Sequence, residues 1–239
     1  MLSRFDPRAR IASGFLLVLV SALTGSLASA GASLALAAAA SIALYPDKKV
    51  LARRLAAVNA FLLFIWASVP FTVPGTPVAG SGAFSLTREG LLLSLLVTLK
   101  GNAAFLWFMA SMGSMPLSDF ARGLTGLKFP GKLVTLLLLT FRQVSVFSLV
   151  FHNLRESAKL RGFTPRTDRR TYETLASFVA ILFLRAFERS RVMQDALRLR
   201  GFTGEWPKLE NPPLGVRDAV LVFLSAAAAA LIAAASLAL

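Results

Sequence analysis

The sequence predicts an all-α membrane protein: about five transmembrane helices and a cytoplasmic or interfacial helical coupling region with two long helices. Three observations predict it. Hydrophobic residues make up 56% of the 239 residues and charged residues 16%, with a mean hydropathy of +0.66, whereas soluble domains hold about 45–50% apolar and about 25% charged residues. Several runs approach the roughly 20 mostly apolar residues that cross a bilayer core. The 26 Lys and Arg, against 12 Asp and Glu, gather on one side of these runs. A formal charge of +14 would suggest nucleic acid in a soluble chain, but membrane topology explains it better and no nucleic-acid partner is expected. With no Cys and a single His, there is no disulfide framework, no thiol nucleophile and no His pair, so neither a catalytic nor a metal site is expected.

The first two spans are Ile11 to Ala30 and the alanine-rich Gly31 to Leu44, read as a hairpin turning near Gly25 to Gly31 and ending at Tyr45-Pro46-Asp47-Lys48-Lys49. Leu55 to Phe71 is the third, with Trp66 near its outer end; Gly90 to Gly113 is the fourth and Val216 to Leu239 the fifth. Thr72 to Thr87 carries Pro74, Gly75, Pro77, Gly80 and Gly82 and no charge, and reads as a turn-rich external loop. The chain thus divides into transmembrane helices 1–4 over residues 1–113, coupling helices over 114–215 and transmembrane helix 5 over 216–239.

Arg4, Arg8 and Arg10, an apolar stretch and Ala28-Ser29-Ala30 imitate a signal peptide. A signal core is about 7–15 residues, and this run continues into further apolar sequence, so an uncleaved first span is expected. With the N-terminus inside, residues 1–10, Tyr45 to Arg54, 114–215 and Arg217 place 24 of the 26 Lys and Arg on the inner side. The exceptions are Arg88 and Lys100.

The basic segment begins with a short helix, Pro116 to Gly126, broken at Lys128-Phe129-Pro130-Gly131. A long helix follows from Lys132 to Arg161, ending at Gly162, and another from near Asp168 to Arg200, ending at Gly201. Leu133 to Phe151 has 19 residues, but Arg142 and Gln143 at its middle are costly in lipid, so an interfacial helix is preferred. On the second helix Arg185, Glu188, Arg191, Asp195 and Arg198 recur with alternating sign. Most are expected to form a solvated face of weak ion pairs, worth a few tenths of a kcal/mol each.

The strongest pattern is a repeat. Lys159-Leu160-Arg161-Gly162-Phe163-Thr164 recurs 39 residues later as Arg198-Leu199-Arg200-Gly201-Phe202-Thr203, each copy preceded by an acid, Glu156 or Asp195. A Gly just past a helix end and a last-turn Arg are ordinary capping choices. Capping accounts for Arg-Gly once and does not account for six matched positions. Two equal ends presenting guanidinium suit docking into two equivalent acidic sites, which a symmetric partner supplies, and the planar arginine fork pairs bidentately with carboxylates.

With these ends, five spans, Phe5-Asp6-Pro7-Arg8 before the first span, and Phe183-Leu184-Arg185-Ala186-Phe187-Glu188-Arg189-Ser190 leading into Ala196-Leu197-Arg198-Leu199-Arg200-Gly201-Phe202, the chain resembles the T component of energy-coupling-factor (ECF) transporters. It is most similar to the CbiQ-like branch, which serves cobalt and nickel uptake. The resemblance implies a multi-pass protein of the bacterial inner membrane that couples an ABC ATPase dimer to a small substrate-binding membrane subunit. It implies no cofactor on this chain, with ATP and Mg on the ATPases. It also implies ATPase docking through Arg161 and Arg200, with Gly162 and Gly201 ending the helices and Ala158 and Ala196 as the small residues before them. Leu160 and Leu199 stand where the family commonly has Ala before Arg-Gly.

Lys100, inside a span, is a candidate polar site by default, or else reaches polar groups across the bundle. His152 has no ligand partner at useful spacing and reads as a structural histidine. Met109, Met112 and Met115 read as core before soft-metal ligands. Ala226 to Ala230 permits close helix contact, and no GxxxxGK[ST] is present. The alternatives are a T component for vitamin uptake, such as biotin, another ABC-type permease subunit, an intramembrane enzyme, and a protein binding anionic lipid.

Overall fold

In the computed structural model, which describes residues 5–44, 47–79, 86–202 and 215–237, the chain is an all-α membrane protein. The helices are α1 (Pro7–Leu23), α2 (Leu27–Leu44), α3 (Lys48–Thr72), α4 (Arg88–Met112), α5 (Leu117–Gly126), α6 (Gly131–Leu160), α7 (Arg169–Leu199) and α8 (Val216–Leu237). Two short strands, β1 (Pro77–Ala79) and β2 (Leu86–Thr87), pair antiparallel within the segment expected to be only turns. The chain forms two compact units, Met1–Gly123 with Asn211–Leu239, and Leu124–Glu210.

Among the described residues, four helices are long and apolar enough to cross a membrane: α2, α3, α4 and α6. The second, third and fourth of the five expected spans are among them. The first apolar run is interrupted at Thr24-Gly25-Ser26, leaving α1 with 17 residues, about 25 Å of helix. The helix α8 has 22 residues, Val216–Leu237, and is apolar over its described stretch Asp218–Ala234. The helix α6, set aside in the sequence on account of Arg142 and Gln143, is long and apolar enough to cross. The basic residues expected in a loop before the third span form the first turns of α3, which begins at Lys48.

In the first unit α4 packs against α1, α2 and α3, and α8 against α1 and α2. The core gathers Leu17, Ala37, Leu51, Leu106, Trp107, Met109 and Ala229. Around it lies a seam of small polar side chains. Ser33 donates to Ser21 Oγ at 3.0 Å and Trp107 Nε1 donates to Ser33 at 3.4 Å. Small residues let helices approach closely where lipid supplies no hydrophobic drive between them.

The α3–α4 contact is a polar ladder. Asn59 and Asn102 exchange side-chain hydrogen bonds of 3.0 Å each, and Trp66 Nε1 donates to Thr98 at 2.9 Å. Thr87 donates to the Pro70 carbonyl at 3.2 Å and the Val73 carbonyl at 2.8 Å. The approach is closest at Gly90, where an added Cβ would lie 2.8 Å from Pro70 Cα and 3.0 Å from the Val69 carbonyl oxygen. Backbone cannot give way as a side chain does. Gly90→Ala is therefore expected to destabilise the detergent-solubilised protein by about 1–3 kcal/mol. In Gly101→Ala the new methyl finds its nearest neighbours 3.9 Å away on Leu62, so that variant is expected to be neutral or stabilising by up to ~1 kcal/mol. Equal thermal melting of the two variants would refute the assignment.

Candidate functional site: two matched helix ends

The repeated hexapeptide builds the same structure twice. At the end of α6, Arg161 N and Phe163 N donate to the Ala158 carbonyl at 3.0 Å each, and Gly162 N donates to Lys159 O at 2.9 Å. At the end of α7, Arg200 N and Phe202 N donate to the Leu197 carbonyl at 3.1 and 3.0 Å, and Gly201 N donates to Arg198 O at 3.0 Å. The φ values of Gly162 and Gly201 are +79° and +72°. This left-handed turn favours glycine and returns two helix-end carbonyls to hydrogen bonds. An added Cβ at either glycine meets nothing within 4 Å, so glycine is used for its conformation and not for space. The fifth-back acceptor at the second end is Leu197, with Ala196 taking an additional bond from Arg200 N at 3.2 Å.

Each cap turns the chain away and leaves the side chains before it in the open. Leu160 and Leu199 are 90% and 89% exposed, more than any other large hydrophobic residue described. Arg161 and Arg200 are exposed beside them, and neither pairs with an Asp or Glu among the described residues. Lys159 instead holds Glu156 at 2.8 Å.

The helices α6 and α7 run antiparallel. Arg189 Nε donates to Gln143 Oε1 at 2.8 Å, Gln143 Nε2 donates to Met193 Sδ at 3.3 Å, and Phe178 meets Phe151 and Phe163 edge-on at 6.2 and 6.3 Å. The two Arg-Gly ends therefore lie at opposite ends of the pair, separated by the length of α7, about 45 Å for its 31 residues. The alternating charges of α7 do not close as expected. No ion pair joins Arg185, Glu188, Arg191, Asp195 or Arg198 among the described residues, which leaves that face open to solvent or a partner.

Asp168 opens α7. Its carboxylate accepts from Thr171 N at 2.9 Å, and hydrogen bonds from the Thr171 hydroxyl and amide hold its pKa below the usual carboxylate range. A lowered folded pKa stabilises the folded state above the unfolded value, and that contribution is lost as pH falls through the folded one. Helix content is expected to stay constant from neutral pH to about 5, with α7 fraying only below about 4. Asp168→Asn should flatten this acid limb in a circular-dichroism titration.

Lys100 has a structural partner. Its Nζ donates at 3.3 Å to the Ala22 carbonyl in the last turn of α1, the second of the two options the sequence left open. Sequence reasoning missed the counterpart. Arg10, 4% exposed, donates from Nε and Nη2 to the Ser111 carbonyl in the last turn of α4, at 3.1 and 2.8 Å. A cation from α4 thus closes α1 while a cation from α1 closes α4, each at the negative end of the other helix dipole. Asp218 was missed too. It is 8% exposed and accepts from Asp6 N at 2.7 Å and Gly215 N at 3.0 Å, tying the start of α8 to the start of α1. These bonds link residues far apart in sequence, so no local pattern announces them. His152, expected to be a satisfied structural histidine, is exposed one turn from Glu156. Met109 is buried core and accepts from Arg54 Nη1 at 3.5 Å.

Among known proteins, residues 1–211 match the model of a family described as CbiQ, cobalt transport protein. The chain is also similar to a protein of Rhodobacter capsulatus named cobalt transport protein CbiQ, at 25% identity over 160 residues. That match takes in 63% of this chain and 65% of the relative, so the chain spans just under two thirds of the curated relative's length.

Proposed function

The chain belongs to the CbiQ family of cobalt transport proteins, and we propose that it is the transmembrane coupling subunit of an energy-coupling-factor importer. In this reading it passes the closure of an ABC ATPase pair to a small substrate-binding membrane subunit, and the cargo is cobalt, or nickel by its close chemistry. ATP and Mg reside on the ATPases. This chain supplies coupling and no chemistry of its own. It resides in the bacterial inner membrane with its N-terminus and coupling helices in the cytoplasm, the orientation that the inner-side excess of Lys and Arg favours.

The observation that carries the reading is the pair of identically capped ends. Each presents an exposed Leu-Arg-Gly, and they lie at opposite ends of an antiparallel helix pair. A two-fold partner offers two equal acidic sites at a fixed separation, and a rigid helix pair meets both at once. Movement of the sites then moves the pair as a body.

The pair is best placed at the membrane surface, although α6 is long and apolar enough to cross. Because α7 runs back along it, a crossing α6 would carry Arg185, Glu188, Arg189 and Arg191 to the depth of Gln143, where each charge is costly. An amphipathic pair lying on the surface keeps these side chains wet.

The test is extraction of the tagged chain from native membranes in mild detergent and identification of what accompanies it. An ATPase together with a small hydrophobic subunit supports the coupling role, and cobalt-dependent uptake in vesicles of that complex names the cargo. Reproducible isolation of the chain alone, across detergents and with ATP present, would sink the reading.

A further inference from the structure

The 39-residue repeat extends beyond the caps into the walls of two cavities. The cavity beside the first Arg-Gly end is lined on α6 and just after it by Phe151, Arg155, Lys159 and Phe163. Adding 39 to each number gives Ser190, Gln194, Arg198 and Phe202, and all four line the cavity beside the second end. The opposite walls correspond as well: Leu175 and Phe178 of the first cavity stand 39 residues after Leu136 and Leu139 of the second. The helices α6 and α7 are thus related by an approximate two-fold axis through their crossing. The C-terminal half of each forms one cavity with the N-terminal half of the other, and each cavity adjoins one exposed Leu-Arg-Gly.

The two cavities are alike in chemistry and unlike in size. Both have a carbon-rich floor, a Phe from the chain just past the cap, and a basic residue four positions before that Phe, Lys159 or Arg198. Their volumes are about 230 Å3 for the first and 660 Å3 for the second. Part of the difference lies in the residues themselves: Phe151 is replaced by Ser190, and Phe178 by Leu139. The flexible Met193 also borders the larger one and adapts readily to an incoming group.

We propose that the two cavities are matched receptors, each taking one apolar side chain that lies next to a carboxylate on one member of a two-fold ATPase pair. This rests on the coupling reading above and states how the docking is made. The cavities are continuous with the exposed leucine and arginine of each end, so a partner that reaches Arg161 or Arg200 lies over the mouth of a cavity. Arg198 at the second mouth, and at the first Arg155 beside Lys159, whose charge is shared with Glu156, match the acid beside the anchor. Seating the same anchor in cavities of unequal volume makes the two attachments unequal.

Because the chain has no Cys, a single introduced thiol reports each cavity separately. Arg155→Cys and Gln194→Cys place it at equivalent, exposed positions, and the rate of maleimide labelling is measured on the free chain in detergent, on the free chain in phospholipid vesicles, and on the complex with its ATPases. At least tenfold slower labelling at both positions in the complex alone is expected. Ser190→Trp, which fills the larger cavity, is expected to weaken ATPase association at least tenfold at unchanged helix content. If both thiols react in the complex as fast as in the free chain, or only one is protected, the matched-receptor proposal is overturned. Protection already present in vesicles without ATPase overturns it in favour of lipid. A complex that forms normally with Ser190→Trp but fails with Arg161→Glu and Arg200→Glu leaves docking standing and removes the anchors. A complex indifferent to the arginine reversals as well removes the coupling reading itself.

Discussion

Reversing both motif charges, Arg161→Glu together with Arg200→Glu, is expected on the coupling reading proposed above to abolish association with the ATPases and with it ATP-driven uptake. Each guanidinium is exposed next to an exposed leucine, so each is free to enter a partner groove and to lose its water there. Truncating one member of a buried interfacial charge pair costs about 2–5 kcal/mol, which corresponds to roughly 30-fold to several-thousand-fold in affinity. Reversal adds repulsion to that loss, and two sites about 45 Å apart on a rigid pair compound it. Single reversals should leave partial complexes, detectable as weaker co-purification with residual uptake. Arg161→Lys and Arg200→Lys should rescue incompletely, because an ammonium lacks the planar fork that meets a carboxylate bidentately. Normal assembly and transport by the double reversal would remove the docking role from these residues.

The second large effect belongs to Arg10. Arg10→Met keeps most of the apolar stem and removes the donors that satisfy the Ser111 carbonyl at the end of α4. A hydrogen bond from a charged group contributes about 1.5–3 kcal/mol, and the orphaned carbonyl is left without its partner. A fall in melting temperature on the order of 5–10 °C is expected in mild detergent. Lys100→Met, at the half-buried reciprocal cap on Ala22 O, should lower stability by only about 0.3–1 kcal/mol. The two sites are separated by most of the length of α1, so the double variant should show near-additive losses. If Lys100→Met instead abolished uptake while leaving melting unchanged, Lys100 would be a transport site and not a helix cap.

What the sequence by itself determined follows from short-range physics. The boundaries of α6 and α7 fall within one residue of expectation at their C-terminal ends, because a helix ending in Gly is set by the left-handed φ of that Gly and by hydrogen bonds three to five residues back. The break at Lys128-Phe129-Pro130-Gly131 was legible for a similar reason, though the positive φ of +62° falls on Lys128 and not on the glycine. The likeness of the two ends needed only the repeated letters.

Other features were decided by tertiary structure. The turn near Gly25 was legible, and Ser26 caps the next helix by accepting from Ser29 N; the contacts around the end of α1 at Leu23 came from the bundle, where Ser21 meets Ser33 and Lys100 closes the Ala22 carbonyl. The charged start of α3 shows that basic residues at a membrane edge remain compatible with helix. Arg10 and Asp218 read as ordinary charges near span ends until folding brings Ser111 and Asp6 to them, across 101 and 212 residues of chain. The matched cavities needed both kinds of information. The repeat was legible in the sequence, but only the antiparallel crossing of α6 and α7 sets Leu136 opposite Phe202 and Leu175 opposite Phe163, because side chains on different helices meet only where packing brings their faces together.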